Sequence, residues 1–172
     1  MKSIIYKYGL ISSVLIVLFM IASTVLFVQM DNEPLSMTLG FVGMLVGFAT
    51  IFIALEKYKK AQGGTLSFMD GLKIGGCIAL LGSLSYTLVW MLEFQFVFPD
   101  FMDKFSASQI EHLHESKLSP DVIAAEVKKI QEMAVNYKNP VYRFGITLVE
   151  ILPIGLFITL LAAIILRKKP KA

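Results

Sequence analysis

Four long apolar segments alternate with polar segments along the chain. They cover about residues 9–28, 35–55, 74–98 and 141–166. The first two contain no charged residue, the third contains only Glu93, and the fourth contains Arg143 and Glu150. A helix needs about 20 mostly apolar residues to cross the hydrocarbon core of a bilayer. Each segment therefore predicts a membrane-spanning helix, and none shows the strict alternation of a membrane β-strand.

The longest polar segment, about residues 100–138, predicts two short amphipathic helices. Ser119 and Pro120 form a typical helix start, with an N-cap residue before a first-turn proline. Apolar residues then recur at spacings of four and three, which is typical of one helix face: Ile123, Val127, Ile130, Ala134 and Tyr137. We expect helices over residues 100–117 and 120–138, folded as a hairpin.

The start of the third long helix has its own signal. A glycine pair at 63–64 is followed by Ser67-x-x-Asp70, the pattern of a capping box with an acid at its fourth position. The third helix should therefore begin near Phe68. Taken together, the pattern predicts an all-α, integral membrane four-helix bundle, with the hairpin inserted between helices three and four. We treat residues 1–172 as a single membrane domain.

The composition strengthens this interpretation. Of 172 residues, 56% are hydrophobic and only 17% are charged, with a mean hydropathy of +0.69. The first apolar segment is longer than the roughly 7–15 residues of a signal-peptide core and lacks a clear cleavage site. It is therefore expected to stay as the first helix. The net charge of +3 is carried largely at the segment edges and indicates topology rather than nucleic-acid binding.

Lysine and arginine positions predict which loops face the cytoplasm, because basic short loops stay inside. The N-terminal flank has Lys2 and Lys7, the second loop has four lysines, and the tail RKKPKA has four basic residues. The first loop carries Asp31 and Glu33 and no basic residue. Both termini are thus predicted to be cytoplasmic, which makes the hairpin extracytoplasmic.

Small residues form stripes on two of the predicted helices. The second helix has Gly40, Gly43, Gly47, Thr50 and Ala54, and the third has Gly71, Gly75, Ala79 and Gly82. Small residues allow close approach of membrane helices. The stripes favour packing within one chain, and dimerisation is the alternative.

A few polar residues interrupt the third and fourth spans. Ionisable groups inside a span are expensive and usually face protein or water. The polar residues concerned are Tyr86 and Glu93 on the third helix, and Arg143, Thr147 and Glu150 on the fourth. Pro153 leaves the carbonyl of Val149 without its helical partner and predicts a kink. We expect a polar pocket between helices three and four that opens outward. These residues either fix helix packing, form an ion path or a ligand site, or contact a partner protein.

No catalytic or cofactor-binding motif is present in the sequence, so an enzyme is not expected, and neither is a cofactor. His112 and His114 are two residues apart and point to different sides of a helix, which argues against a metal site. The single cysteine, Cys77, is interpreted as a small packing residue.

Three stretches carry a family resemblance: GGTLSFMDGLKIG at 63–75, FPDFMDKF at 98–105, and YKNPVYRFGITLVEILPIGLFITLLAAIILRKK at 137–169. They resemble a family of small bacterial inner-membrane proteins, the domain of unknown function number four-one-nine-nine. The most specific parts are Lys138-Asn139-Pro140 and Glu150-x-x-Pro153-x-Gly155. The resemblance implies four spans and a bacterial envelope location, and it implies no activity.

These observations favour an uncharacterised, structural or accessory protein of the bacterial inner membrane without catalysis of its own. Its expected partners are the lipid bilayer and either a second copy or another membrane protein. The alternatives are a small oligomeric transporter or channel subunit that uses Glu93 and Glu150, and an envelope sensor that uses the outer hairpin.

Overall fold

The computed structural model describes residues 1–30 and 33–168, and within them the chain forms six α-helices and no strand. The helices are α1 Lys2–Met30, α2 Glu33–Ala61, α3 Phe68–Phe96, α4 Phe101–Glu115, α5 Pro120–Tyr137 and α6 Pro140–Leu166. Four of them, α1, α2, α3 and α6, are long and apolar enough to cross a membrane. The all-α prediction is confirmed. Asp31 in the first loop and the tail beyond Lys168 lie outside the described residues.

The long helices extend past the apolar segments that predicted them. Helix α1 begins at Lys2 and not near Gly9, and α2 continues to Ala61 and not only to Leu55. Hydropathy marks the part of a helix that lies in hydrocarbon, whereas backbone hydrogen bonding continues through the polar flanks. The spans are therefore embedded in longer helices.

The turn between α2 and α3 depends on two glycines. Gly63 and Gly64 have φ angles of +65° and +87°, a left-handed conformation that residues with a Cβ rarely adopt. The backbone N–H of Gly64 donates to the carbonyl of Lys59 at 2.9 Å and closes the end of α2. The predicted cap follows: the Asp70 N–H donates to Ser67 Oγ at 3.0 Å, and α3 begins at Phe68 as expected.

The start of α5 is placed as predicted, but its cap differs. Ser119 is the N-cap residue and Pro120 occupies the first turn, yet the Ser119 side chain makes no capping hydrogen bond. Proline lacks a backbone N–H and has φ fixed near the helical value, so it favours a helix start by itself. The start of α6 is capped by a side chain instead, because Asn139 Oδ1 accepts from the N–H of Val141 at 2.9 Å.

The chain divides into two compact units. Unit 1 comprises Met1–Thr87 and Leu148–Ala172, and unit 2 comprises Leu88–Thr147. The sequence predicts one membrane domain, so the division is finer than that prediction. Because α3 and α6 run from one unit into the other, each contributes one part to each unit.

Unit 1 has a densely packed interior built from large apolar and very small residues. Phe48, Ile51 and Ile78 are fully buried at its centre. The predicted small-residue stripes lie at helix contacts within the chain. A Cβ added to Gly43 would meet Phe19 of α1 at 2.2 Å, and one added to Gly47 would meet Ile16 at 2.3 Å.

The small-residue stripe of α3 packs against α6 in the same way. A Cβ on Gly71 would lie 2.9 Å from Ala163, and one on Gly75 would lie 2.5 Å from Thr159. Such distances leave no room for a larger residue. The stripes therefore bring backbones into direct contact with neighbouring side chains of the same chain.

A short backbone bridge closes unit 1 at the end of α6. Leu66 N–H donates to the carbonyl of Lys168 at 3.0 Å, and Lys168 N–H donates back to the carbonyl of Leu66 at 2.9 Å. Leu66 is only 2% exposed. The pair fixes the loop before α3 against the residues that follow α6.

Candidate functional site

Unit 2 is organised around Trp90, near the end of α3. Its indole N–H donates to the hydroxyl of Tyr137, at the end of α5, at 2.8 Å. The Trp90 ring also lies edge-on to Phe101 of α4, with centroids 5.1 Å apart. Phe94 completes the group, with its ring centroid 5.5 Å from that of Tyr137. This aromatic cluster joins α3, α4 and α5 within the unit.

Arg143, one turn into α6, is buried against this cluster at 4% exposure. Its guanidinium carbon lies 4.0 Å from the centroid of the Phe94 ring, a cation–π contact. Nη1 donates to the backbone carbonyl of Tyr137 at 3.0 Å, and Nε contacts Met91 Sδ at 3.4 Å. The carbonyl of Tyr137 ends α5, where the helix dipole is negative. The cation is thus held by a helix end and an aromatic face.

A cavity of about 270 Å³ opens beside Arg143, within unit 2. Its lining combines two cations, one carboxylate, one amide and an apolar wall: Arg143, Lys138, Asp103, Gln95, Phe94, Met102, Pro99 and Pro140. Lys138 Nζ and Asp103 Oδ1 lie 3.9 Å apart, and both side chains are largely exposed. This set offers hydrogen bonds and charge of both signs to a small polar molecule.

The other predicted site residues of unit 2 are buried. Glu93 is 8% exposed and Thr147 is 3% exposed. No hydrogen-bond partner of Thr147 Oγ1 is found among the described residues. Near them, Arg143 binds a carbonyl, a thioether and an aromatic ring.

Glu150 belongs to unit 1 and differs most from its predicted place. The sequence predicts an inward-facing carboxylate between two helices, whereas the Glu150 side chain is exposed on the surface of α6. Tyr86, also in unit 1, is half-buried against the core. Helix α6 continues without interruption through Pro153, which is also exposed. Of the five predicted residues, Glu93, Arg143 and Thr147 belong to unit 2, and Tyr86 and Glu150 belong to unit 1.

Two further predictions concern single residues. Cys77, interpreted as a packing residue, is a free and exposed thiol. His112 and His114 are exposed on α4, as expected, and no metal-binding group of three side chains occurs in residues 1–30 and 33–168.

Sequence reasoning missed the three residues that bind Arg143. Phe94 and Met91 read as ordinary apolar residues of a span, and Tyr137 reads as part of an amphipathic face. The one usable signal was the Lys138-Asn139-Pro140 entry to α6. Asn139 caps the helix and Pro140 starts it, which places Arg143 next to the last carbonyl of α5.

A second cavity, of about 450 Å³, lies in unit 1 beside the bridge between Leu66 and Lys168. It is lined by Leu66, Ser67, Phe68, Arg167 and Lys168. Both cavities have two cations in their lining, but the lining of this one contains no carboxylate, whereas that of the unit 2 cavity contains Asp103.

The all-α fold, with four apolar helices long enough to span a membrane, defines a multi-pass membrane protein. A family model described as "Protein of unknown function (DUF4199)" matches residues 7–168, which is nearly the whole chain. The chain therefore belongs to that family, and the resemblance drawn from its sequence is confirmed. No curated protein and no solved structure matches the chain significantly.

Proposed function

We propose that this chain is a non-catalytic accessory protein of the bacterial inner membrane that binds another membrane protein through the surface of α6 around Glu150. Its N- and C-termini are cytoplasmic, and α4 and α5 lie on the outer side. The orientation is supported by the lysines of the second loop, since short basic loops remain in the cytoplasm.

The observation that carries the proposal is the exposed carboxyl group of Glu150. It lies ten residues after Pro140, so about 15 Å along the axis from the start of α6 and near the middle of a hydrocarbon core about 30 Å thick. An acidic side chain at the centre of a span costs about 2.5–3.5 kcal/mol on insertion scales when it faces lipid. Burial against a second protein removes this cost.

The backbone beside Glu150 adds a second polar group to the same surface. Pro153 has no N–H, so the carbonyl of Val149 lacks its partner within the helix. Val149 is 66% exposed. A partner that donates hydrogen bonds to both groups satisfies what lipid cannot. Such a partner presents hydroxyl, amide or basic side chains from a membrane helix.

In-cell photo-crosslinking tests the proposal. A photo-reactive amino acid at Phe157, exposed seven residues after Glu150 on the same face, is expected to give one discrete protein adduct. The same probe at Leu18, exposed on α1, serves as the matched control and is expected to give none. Glu150→Leu should remove the adduct at position 157 while the chain still inserts.

Two results would contradict the accessory function. The first is an adduct at position 157 that persists unchanged in Glu150→Leu, because binding would then not depend on the carboxyl group. The second is the absence of any protein adduct at position 157 together with normal insertion. An adduct whose mass corresponds to two copies of this chain would show that the partner is a second copy and not a different protein.

A small transporter or channel subunit is the second candidate function, and the carboxyl groups of Glu93 and Glu150 within candidate spans favour it. Ionisable residues in spans are used as ion and proton relays in transporters. Proteoliposomes containing the purified chain distinguish the two functions. Cation or proton flux that depends on pH and is lost in Glu150→Gln supports transport, whereas flux equal to that of empty liposomes supports the accessory role.

A further inference from the structure

The cavity of about 450 Å³ in unit 1 lies where the α2–α3 loop meets the end of α6. Arg167 follows the last residue of α6 directly, and Lys168 follows Arg167. Both basic side chains are exposed and line the cavity. The cavity therefore combines two adjacent cations with the end of a membrane span.

The walls of this cavity are fixed by backbone contacts. The two hydrogen bonds between Leu66 and Lys168, of 3.0 and 2.9 Å, hold one wall against the other. On the loop side, Thr65 Oγ1 donates to the carbonyl of Gln62 at 3.0 Å. The turn at Gly63 and Gly64 is closed by the hydrogen bond from the Gly64 N–H to the carbonyl of Lys59, at 2.9 Å. Because the walls are held in place, a ligand does not have to order them.

The charge of the lining is positive. Arg167 and Lys168 contribute two positive charges, and none of the five lining residues is acidic. The nearest carboxylate in sequence, Asp70, is engaged in the helix cap, where Ser67 Oγ donates to its Oδ2 at 2.7 Å. An anion in the cavity would thus meet the two cations, while the hydroxyl proton of Ser67 is already donated to Asp70.

Phe68 lines the cavity together with the two cations, and Met69 follows it in the sequence. Phe68 is 37% exposed and Met69 is 56% exposed at the start of α3. Basic residues at the end of a span lie at the level of lipid headgroups, and basic pockets between membrane helices bind anionic headgroups. Phe68 and Met69 therefore offer exposed apolar surface at the start of α3.

We infer that this cavity binds the phosphate group of an anionic phospholipid. Arg167 and Lys168 hold the phosphate, and the exposed faces of Phe68 and Met69 contact the acyl chains. The occupant is a lipid and not a soluble phosphate compound, because the apolar surface next to the cations requires an apolar ligand portion. This inference is independent of the role of Glu150.

Native mass spectrometry of the purified full chain in detergent tests the inference. Short-chain phosphatidylglycerol is expected to bind, and phosphatidylcholine with the same acyl chains is expected to bind much less. The double variant Arg167→Gln, Lys168→Gln should bind phosphatidylglycerol about 25-fold more weakly, since each cation near a headgroup contributes about a five-fold factor. The bridge to Leu66 is kept, because it uses only the backbone of Lys168.

A matched control separates this cavity from general attraction to lysines. Lys57→Gln, Lys60→Gln removes two exposed cations from α2, outside the cavity, and should leave binding unchanged. Equal losses in both double variants would overturn the site. Displacement of the bound lipid by an equal concentration of inorganic phosphate would overturn the assignment to a lipid.

A salt titration of the unaltered chain covers the case in which the double variant does not fold. Binding held by two cations weakens as salt is raised, because salt screens charges at the surface. Phosphatidylglycerol binding that is the same at low and high salt would overturn the inference without any variant.

Discussion

At the scale of single residues, two adjacent glycines of α3 have opposite surroundings. A Cβ on Gly75 would lie 2.5 Å from Thr159 Cγ2 and 3.0 Å from Ile51 Cγ2. A Cβ on Gly76 would meet nothing within 4 Å. Thr159 has little freedom to move away, because a β-branched side chain is stiff at χ1 and its hydroxyl donates to the carbonyl of Gly155 at 2.8 Å.

We predict that Gly75→Ala destabilises the protein and Gly76→Ala does not. Overpacking at Gly75 should cost about 1–3 kcal/mol. At Gly76 the better helix propensity of alanine should leave stability unchanged or raise it by up to about 1 kcal/mol. Thermal unfolding of both variants in the same detergent measures the difference. Equal unfolding temperatures for the two variants would show that α3 and α6 do not pack as described.

How far such details follow from sequence depends on the residue. The spacing of Gly71 and Gly75 predicts a close helix contact, because small residues on one face have few other reasons to recur. The exposure of Glu150 does not follow, since the rotation of α6 is set by its contacts with the other helices. A carboxyl group in a span looks the same in a sequence whether it faces its own chain or another.

At the scale of secondary structure elements, the end of α5 is joined to α3 by side chains from distant parts of the chain. The hydrogen bond from Trp90 Nε1 to the hydroxyl of Tyr137 spans 47 residues. Trp90 is the only tryptophan of the chain. Its fluorescence therefore reports on unit 2.

We predict that Tyr137→Phe destabilises unit 2 by about 1 kcal/mol, because the indole N–H of Trp90 loses its acceptor. Unfolding by denaturant, followed through the emission of Trp90, measures the change. Tyr142→Phe is the control. The Tyr142 side chain is 40% exposed, and its hydroxyl makes no hydrogen bond among the described residues. A smaller effect at Tyr137 than at Tyr142 would contradict the described contact.

The sequence predicts the positions of the helices better than the contacts between them. Hydropathy and capping patterns placed all six helices, and α3 and α5 begin at the predicted residues. The missed aromatic cluster requires that α4 and α5 fold back along the end of α3. Helical periodicity defines an apolar face on α5 but does not identify the helix that covers it.

At the scale of the whole molecule, the orientation of the four apolar helices in the membrane is a prediction from the charges that flank them. Lys57, Lys59 and Lys60 lie at the end of α2 and Lys73 lies near the start of α3, whereas the segment between α3 and α6 carries carboxylates among its lysines. The number of spans follows directly from sequence, because it depends only on local composition. The division into two compact units does not, because unit 1 joins residues 1–87 to residues 148–172.

We predict that the two sides can be separated by cysteine labelling in whole cells. The exposed thiol of Cys77 is first removed by Cys77→Ser. In that background, Lys117→Cys should react with a membrane-impermeant maleimide, and Gln62→Cys should react only after the cells are permeabilised. Both positions are exposed in the structure. Labelling of position 117 from the cytoplasm alone would reverse the topology.

The backbone bridge between Leu66 and Lys168 also constrains the order in which the protein matures. The two residues are 102 positions apart in sequence, so their pairing waits until the ribosome has translated the end of α6. Unit 2 is continuous in sequence and is complete by residue 147. During synthesis, unit 2 is thus the first unit to have all of its residues. Unit 1 cannot complete its packing until α6 has been translated.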